Sequence, residues 1–239
     1  MKLDKLFYVS TSVVFLLLMA AGFHNFVPHG SGAQGRVIDP HIFPIVLAHG
    51  LAIAAWYLLY FLQTLLIAAR NRKLHMTLGW SVVVLAPLIT LLGIWVAIRS
   101  VQVTPAQFVI VGIPYSQFLL LMFAEMVTFA GFVTAGILTR KQPRTHRAMM
   151  LCASLTMLSG ATFRITAISA IFGEVGFFAI FRPVLALAIL LLLVRWVQTR
   201  SLDRALVIGT TVLFGVDAIA CALATTHAWD ATAAVILGW

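Results

Sequence analysis

Five ionisable residues interrupt the apolar segments of this 239-residue chain, and they are the side chains best able to do chemistry: His49, Glu125, Arg164, Arg182 and Asp217. A charge inside a lipid bilayer costs about 2.5–3.5 kcal/mol on insertion scales, so such residues usually face the protein interior and have partners. These groups therefore define the candidate site. Whether their side chains lie close together depends on how the helices that carry them pack.

The spacing of these residues predicts a polar pocket. At a helical rise of about 1.5 Å per residue, four of them fall in one layer of the outer half of the membrane, namely His49, Arg164, Arg182 and Asp217. Glu125 falls deeper, near the midplane. The two arginines could bind an anionic or carbonyl-bearing group, such as a quinone head, a carboxylate or a lipid phosphate. The acids and His49 could move protons.

A structural interpretation of the same residues stays open. Arg164 with Glu125, and Arg182 with Asp217, could form ion pairs that only hold the bundle together. Trp56 lies in the middle of its segment, away from the interfacial layers where tryptophan is common. It therefore either lines the pocket as a sixth ligand-binding residue or packs in the core.

A second candidate site lies at the opposite ends of the segments. His75 and His146 each open an outward-running segment next to Arg and Lys residues. Two imidazoles that face each other can ligate a haem iron, and nearby arginines can pair with the haem propionates. The pair is thus a candidate cofactor site for haem b. The alternative is that each histidine caps a helix or lies in the headgroup layer.

Three further histidines, His24, His29 and His41, lie in one loop near His49. Together they could hold Zn or Cu, but their spacing matches no compact ligand motif, and no cysteine accompanies them. A solvated loop is therefore the preferred interpretation. The metal content of the protein is left open.

The composition of the chain indicates that these residues lie on membrane-spanning helices. Apolar residues make up 62% of the chain, charged residues only 10%, and the mean hydropathy is +1.05. Soluble domains carry about 25% charged residues. The pattern predicts one all-α transmembrane domain, residues 1–239, with seven membrane-spanning helices. Their predicted bounds are about 6–23, 43–69, 76–98, 110–138, 148–171, 176–197 and 205–226.

The net charge of +9 is distributed unevenly over the two sides of the predicted membrane. One side carries Lys2, Lys5, Arg70, Arg72, Lys73, Arg140, Lys141, Arg144, Arg147, Arg195, Arg200 and Arg204, and the other carries Arg36 and Arg99. Since positively charged loops stay in the cytoplasm, the N-terminus is predicted inside and the C-terminus outside. The basic loops favour contact with anionic lipids rather than nucleic acid.

Two stretches resemble a group of bacterial polytopic membrane proteins of unknown function: AHGLAIAAWYLLYFLQTLLIAARNRKLHMTLGW and PRTHRAMMLCASLTMLSGATFR. The matching positions are His49, Trp56, Gln63, His75, Gly79, His146, Arg147, Met150 and Arg164. The resemblance covers about residues 43–170. It implies a helical bundle in the bacterial inner membrane and carries no activity with it.

Three functions are compatible with these observations. The most economical is a membrane protein that binds a small molecule or lipid in an outer pocket, alone, as a homo-oligomer, or as an accessory subunit of a membrane complex. The second is a redox protein associated with haem b or quinone. The third is a transporter or receptor for an anion. No catalytic signature is present in the sequence, so whether the protein is an enzyme stays open.

Overall fold

The fold comes from a computed structural model that describes residues 2–26, 30, 32, 37–105, 107–110, 112–173 and 176–238. The elements in chain order are α1 (Lys2–Phe23), α2 (Phe43–Ala68), α3 (Arg72–Gly79), α4 (Val82–Gln102), β1 (Val109–Ile110), β2 (Ile113–Pro114), α5 (Tyr115–Leu138), α6 (Pro143–Thr156), α7 (Ser159–Thr162), α8 (Thr166–Phe172), α9 (Phe177–Thr199), α10 (Arg204–Ala224) and α11 (His227–Leu237).

The described part of the chain is an all-α integral membrane protein. Six helical stretches are long and apolar enough to cross a bilayer: Leu3–Phe23, Phe43–Ala68, Arg72–Gln102, Tyr115–Leu138, Ala179–Thr199 and Arg204–Ala224. A seventh crossing exists if Pro143–Thr162 and Thr166–Phe172 count as one span, although the two pieces meet at an angle of 97°. The environment of these helices is therefore a lipid bilayer.

Three of the differences between the observed and the predicted helix bounds bear on the site. A short helix, α3, precedes α4, so the third span begins at Arg72 rather than at residue 76. The fourth predicted helix begins at Tyr115, because Pro114 comes immediately before it and the antiparallel β1–β2 pair occupies Val109–Pro114. The largest difference is the fifth predicted helix, 148–171, which is interrupted between α7 and α8.

Helix α5 lies at the centre of the bundle, where it contacts α4, α6, α10 and α11. Helix α1 packs against α2, and α2 packs against α4. The loops after α2, α5 and α9 lie at one end, which we call the basic end because these loops carry Arg70, Arg140, Lys141 and Arg200. The β1–β2 pair and α11 lie at the other end, which we call the hairpin end.

An ionic cluster joins three elements at the basic end. Arg195 of α9 is only 5% exposed and donates to Asp4 of α1 at 2.8 Å. Its other terminal nitrogen is 3.7 Å from Asp203, which caps the N-terminus of α10. The guanidinium also lies over the rings of Phe7 and Tyr8, at 5.0 and 5.7 Å from their centroids. Arg195 therefore fixes α1, α9 and α10 together.

This cluster makes a direct prediction for stability. Replacing Arg195 by Met removes the cation beside the largely buried Asp203 and one hydrogen bond of the more exposed Asp4, which costs about 1–3 kcal/mol. We expect a clear fall in the unfolding temperature of detergent-purified protein, measured by intrinsic fluorescence. Arg204→Met, at the exposed start of α10, is the control and should leave that temperature unchanged. Equal losses in the two variants would contradict the role of the cluster.

Candidate functional site

The site is organised by a break in the fifth span. Within α7, the Ser159–Gly160 pair lies at a position where small residues commonly interrupt a helix. The backbone N–H of Arg164 donates to the carbonyl of Ala161 at 3.0 Å, so it does not donate to Gly160 as a regular helix requires. The chain then turns by 97° into α8.

Backbone carbonyls released by this break are satisfied by side chains, as a bilayer requires. The guanidinium of Arg164 donates to the carbonyl of Gly160. In a regular helix this carbonyl would instead accept from the backbone N–H of Arg164. The hydroxyl of Ser169 donates to the carbonyl of Phe163 at 3.1 Å. At the far end of α8, Arg182 donates to the carbonyl of Phe172 at 2.9 Å. Both intramembrane arginines therefore cap segments of the broken span.

Arg164 also faces a cavity. Its guanidinium carbon lies 4.6 Å from the ring centroid of Phe23, the last residue of α1. Beyond that ring it borders a space of about 510 Å³ between the helices. Because the hydrogen bond to Gly160 uses only one of the guanidinium donors, Arg164 has donors left for a bound molecule.

The cavity is mainly apolar and lies toward the hairpin end. The cavity lies between two clusters of buried side chains. One cluster contributes Tyr57, Met126 and Met157 to the lining, and the other contributes Ala97, Leu121 and Phe181. Phe108 and Ile110 close part of it from the hairpin. Its polar wall is small, and the polar side chains in it are those of His49, Tyr57, Ser100, Tyr115, Glu125, Ser159 and Arg164.

His49 reaches the cavity from α2 because α4 has no side chain opposite it. A methyl group at Gly93 would lie 2.9 Å from Cε1 of His49 and would also collide with Met126. The Nδ1 atom of His49 is buried and has no hydrogen-bond partner among the described residues. The ring also has a hydrogen bond with the backbone of Ile89, so both this bond and packing hold it, and Nδ1 is left as the unused polar atom.

Glu125 enters the cavity from α5 and accepts a hydrogen bond from the hydroxyl of Ser159. Asp217 of α10 is buried, at 5% exposure, and lies within electrostatic range of Glu125. It does not line the cavity. The polar groups of the cavity therefore include one guanidinium, one carboxyl group and one imidazole, with a second carboxyl group behind the wall.

The structure thus brings together three of the six predicted ligand-binding residues, His49, Glu125 and Arg164. Arg182 is outside the cavity lining, and Trp56 is a core residue that donates to the hydroxyl of Ser154 at 3.2 Å. In the described residues, neither of the two ion pairs considered above forms: Arg164 is not within 4.0 Å of a Glu125 oxygen, nor Arg182 of an Asp217 oxygen.

His75 and His146 also meet, at the basic end. Their ring centroids are 6.4 Å apart and their planes are perpendicular. Nδ1 of His146 donates to the carbonyl of Gly136 at 2.8 Å, which leaves Nε2 as the acceptor of the neutral ring. The pair is remote from the cavity lining. Haem binding there stays a prediction that an absorption spectrum of the purified protein would test.

The loop histidines are only partly described. His29 lies outside the described residues. His24 is exposed and its Nδ1 donates to the carbonyl of Ala21 at 2.7 Å, and His41 is exposed at the start of α2. Across the described ranges, no group of three or more His, Cys, Asp or Glu residues is arranged to hold a metal.

Several residues of the site were not predicted. Ser159 and Gly160 carry a usable signal, because a Ser–Gly pair in an apolar run indicates a possible break. Phe23 and Gly93 carry none, since one aromatic or glycine in a membrane helix resembles any other. Their roles depend on which helices become neighbours, and this information is absent from local sequence.

No family model, no curated protein and no solved structure matches this chain. The class that the fold and cavity define is an all-α membrane protein with an internal, mainly apolar cavity.

Close packing of α1 on the break supplies a test of the site. A methyl group at Gly22 would lie 2.5 Å from the carbonyl oxygen of Ala161 and 2.7 Å from its Cα. Since backbone cannot yield as a side chain does, we expect Gly22→Ala to cost about 1–3 kcal/mol. Gly131→Ala is the matched control, because nothing lies within 4 Å of its added methyl group.

The measurement is the unfolding temperature of each variant in detergent. Gly22→Ala should unfold at a lower temperature than the parent protein. Gly131→Ala should match or exceed the parent, because alanine favours helix over glycine. A Gly22→Ala variant as stable as the parent would show that α1 does not rest against the break.

Proposed function

We propose that this protein binds a small amphipathic molecule from the membrane in the cavity that contains His49, Glu125 and Arg164. The single observation that supports this most directly is the convergence of these three side chains, from α2, α5 and the turn between α7 and α8, on one mainly apolar space of about 510 Å³. Ligand pockets of about 300–1,000 Å³ with few convergent polar groups are typical of small-molecule sites.

The apolar wall selects the body of the ligand. It is formed by aliphatic, methionine and aromatic side chains, including Leu16, Met19, Phe23, Ile53, Met122 and Phe163. Such a surface is stabilised by burial of hydrocarbon at roughly 25 cal/mol per Å². An alkyl or isoprenoid chain fits this wall, whereas a fully hydrophilic solute would leave it uncovered.

The polar wall selects the head of the ligand. Arg164 can only donate hydrogen bonds. Nδ1 of His49 is available as a donor or an acceptor, depending on its tautomer. The carboxyl group of Glu125 is already engaged with Ser159. A head that carries carbonyl or carboxylate oxygens therefore matches Arg164, and the shared chemistry is an oxygen acceptor on an apolar body.

We further propose an orientation in which the basic end faces the cytoplasm and the cavity lies in the outer half of the membrane. Arg70, Arg72, Lys73, Arg140 and Lys141 are all exposed at the basic end, which supports this orientation through the positive-inside rule. The same residues are suitably placed for contact with anionic lipid headgroups. A bacterial inner membrane agrees with the resemblance described above.

The binding proposal predicts that Arg164 and Arg182, which both donate to a backbone carbonyl, differ in their effect on ligand binding. Purified protein would be titrated with a decyl-substituted benzoquinone and, separately, with oleate, while its unfolding temperature and tryptophan fluorescence are followed. At least one probe should bind. Arg164→Gln should weaken that binding by tenfold or more, because a charge-assisted hydrogen bond is lost. Arg182→Gln is the matched control, since Arg182 also caps a carbonyl but does not line the cavity.

Two further variants separate loss of binding from loss of folding. Arg164→Lys keeps a cation that can cap Gly160, so it should fold and bind with intermediate affinity. Ile53→Trp leaves every polar group in place and fills part of the cavity, so it should block binding without lowering stability. Binding of neither probe, or equal effects of the Arg164→Gln and Arg182→Gln changes, would contradict the proposal.

A further inference from the structure

A row of polar side chains follows the buried face of α2 away from the cavity. His49 and Tyr57 line the cavity, Tyr60 lies almost one turn further on, and Gln63 lies almost another turn beyond it. Tyr57 and Tyr60 are 1% and 7% exposed. The 14 residues from His49 to Gln63 extend over about 21 Å at the helical rise, which is most of the thickness of the hydrocarbon core.

The row continues to the basic end through α3. The ring of His75 interacts with the backbone of Gln63. The Gln63 amide nitrogen lies 3.7 Å from where a methyl group on Gly79 would be, one turn after His75 on the same helix. His146 then lies beside His75, with the two ring centroids 6.4 Å apart. We call this row, His49, Tyr57, Tyr60, Gln63 and His75, the α2 seam.

The α2 seam contains buried polar atoms without a protein partner. Within the described residues, Nδ1 of His49, the hydroxyl of Tyr60, both amide atoms of Gln63 and Nδ1 of His75 make no hydrogen bond. An unsatisfied buried polar group costs about 1–3 kcal/mol, so native proteins satisfy such groups, commonly with ordered water. Several such atoms on one helix face therefore indicate a hydrated interior rather than dry packing.

We propose that the α2 seam is a hydrated pathway that carries protons between the basic end and the cavity, and that protons cross from the cavity to the hairpin side, where Ile38, Phe108 and Ile110 border it. Hydroxyl groups, imidazoles and water each donate and accept hydrogen bonds, so a proton can enter at one end while another leaves at the other, with no net chemical change along the seam. The hydroxyl of Tyr57 donates to the carbonyl of Ser154 at 2.6 Å, and its oxygen stays available to accept from water. The pathway does not depend on which molecule occupies the cavity.

Proton flux through the complete chain in liposomes tests this inference. Vesicles would be loaded with a pH-sensitive dye, and a potassium gradient with valinomycin would supply the driving voltage. Liposomes with the protein should acidify faster than protein-free liposomes. Tyr60→Phe and Gln63→Leu should each lower the excess rate by tenfold or more. Thr90→Val is the control, because the hydroxyl of Thr90 is already bonded within α4, to Ala86 at 2.9 Å.

Stability measurements separate conduction from misfolding. Tyr60→Phe and Gln63→Leu remove polar atoms that lack protein partners, so each variant should unfold at the same temperature as the parent or higher. Flux equal to that of protein-free liposomes would overturn the proposal. It would also be overturned by full flux in both seam variants, or by an equal loss of flux in Thr90→Val.

Discussion

The hydrogen bond from the Arg164 side chain to the Gly160 carbonyl is the interaction on which the site depends. A bilayer offers no water to a free carbonyl, so a helix can turn within it only where the protein supplies another donor. Arg164 supplies that donor one turn from the acceptor, and the span bends by 97°. The same residue that permits the break also turns its remaining donors toward the cavity.

Structure and binding are therefore not alternative roles for the charged residues of this protein. Arg164 caps a carbonyl, packs over Phe23 and lines the cavity. Arg182 caps the carbonyl of Phe172 but has no place in the cavity lining. Arg195 has a third task, because it neutralises Asp4 and Asp203 at the basic end and joins three elements. The surroundings of each cation, rather than its charge, separate these roles.

The features that the sequence predicted best are those that depend on a single physical property. Apolar length predicted helices close to the observed bounds for α2, Phe43–Ala68, and α10, Arg204–Ala224. Depth along a helix placed His49 and Arg164 in one layer and Glu125 deeper, and the structure shows all three lining one cavity. Depth could not show which way a side chain points, so Trp56 and Asp217 were grouped with them although both lie behind the wall. The prediction of one continuous fifth helix was wrong, because a straight span and a broken span have the same apolar composition.

The bend at Arg164 is the central claim, and a distance between two spin labels tests it most directly. The labels would replace Arg144, at the exposed start of α6, and Ile171, which is 77% exposed in α8, after Cys152 and Cys221 are changed to alanine. A continuous helix would separate these positions by about 40 Å at 1.5 Å per residue. A bend of 97° shortens the separation to about 30 Å. A distance near the shorter value supports the account, and one near the longer value would remove Arg164 from the cavity.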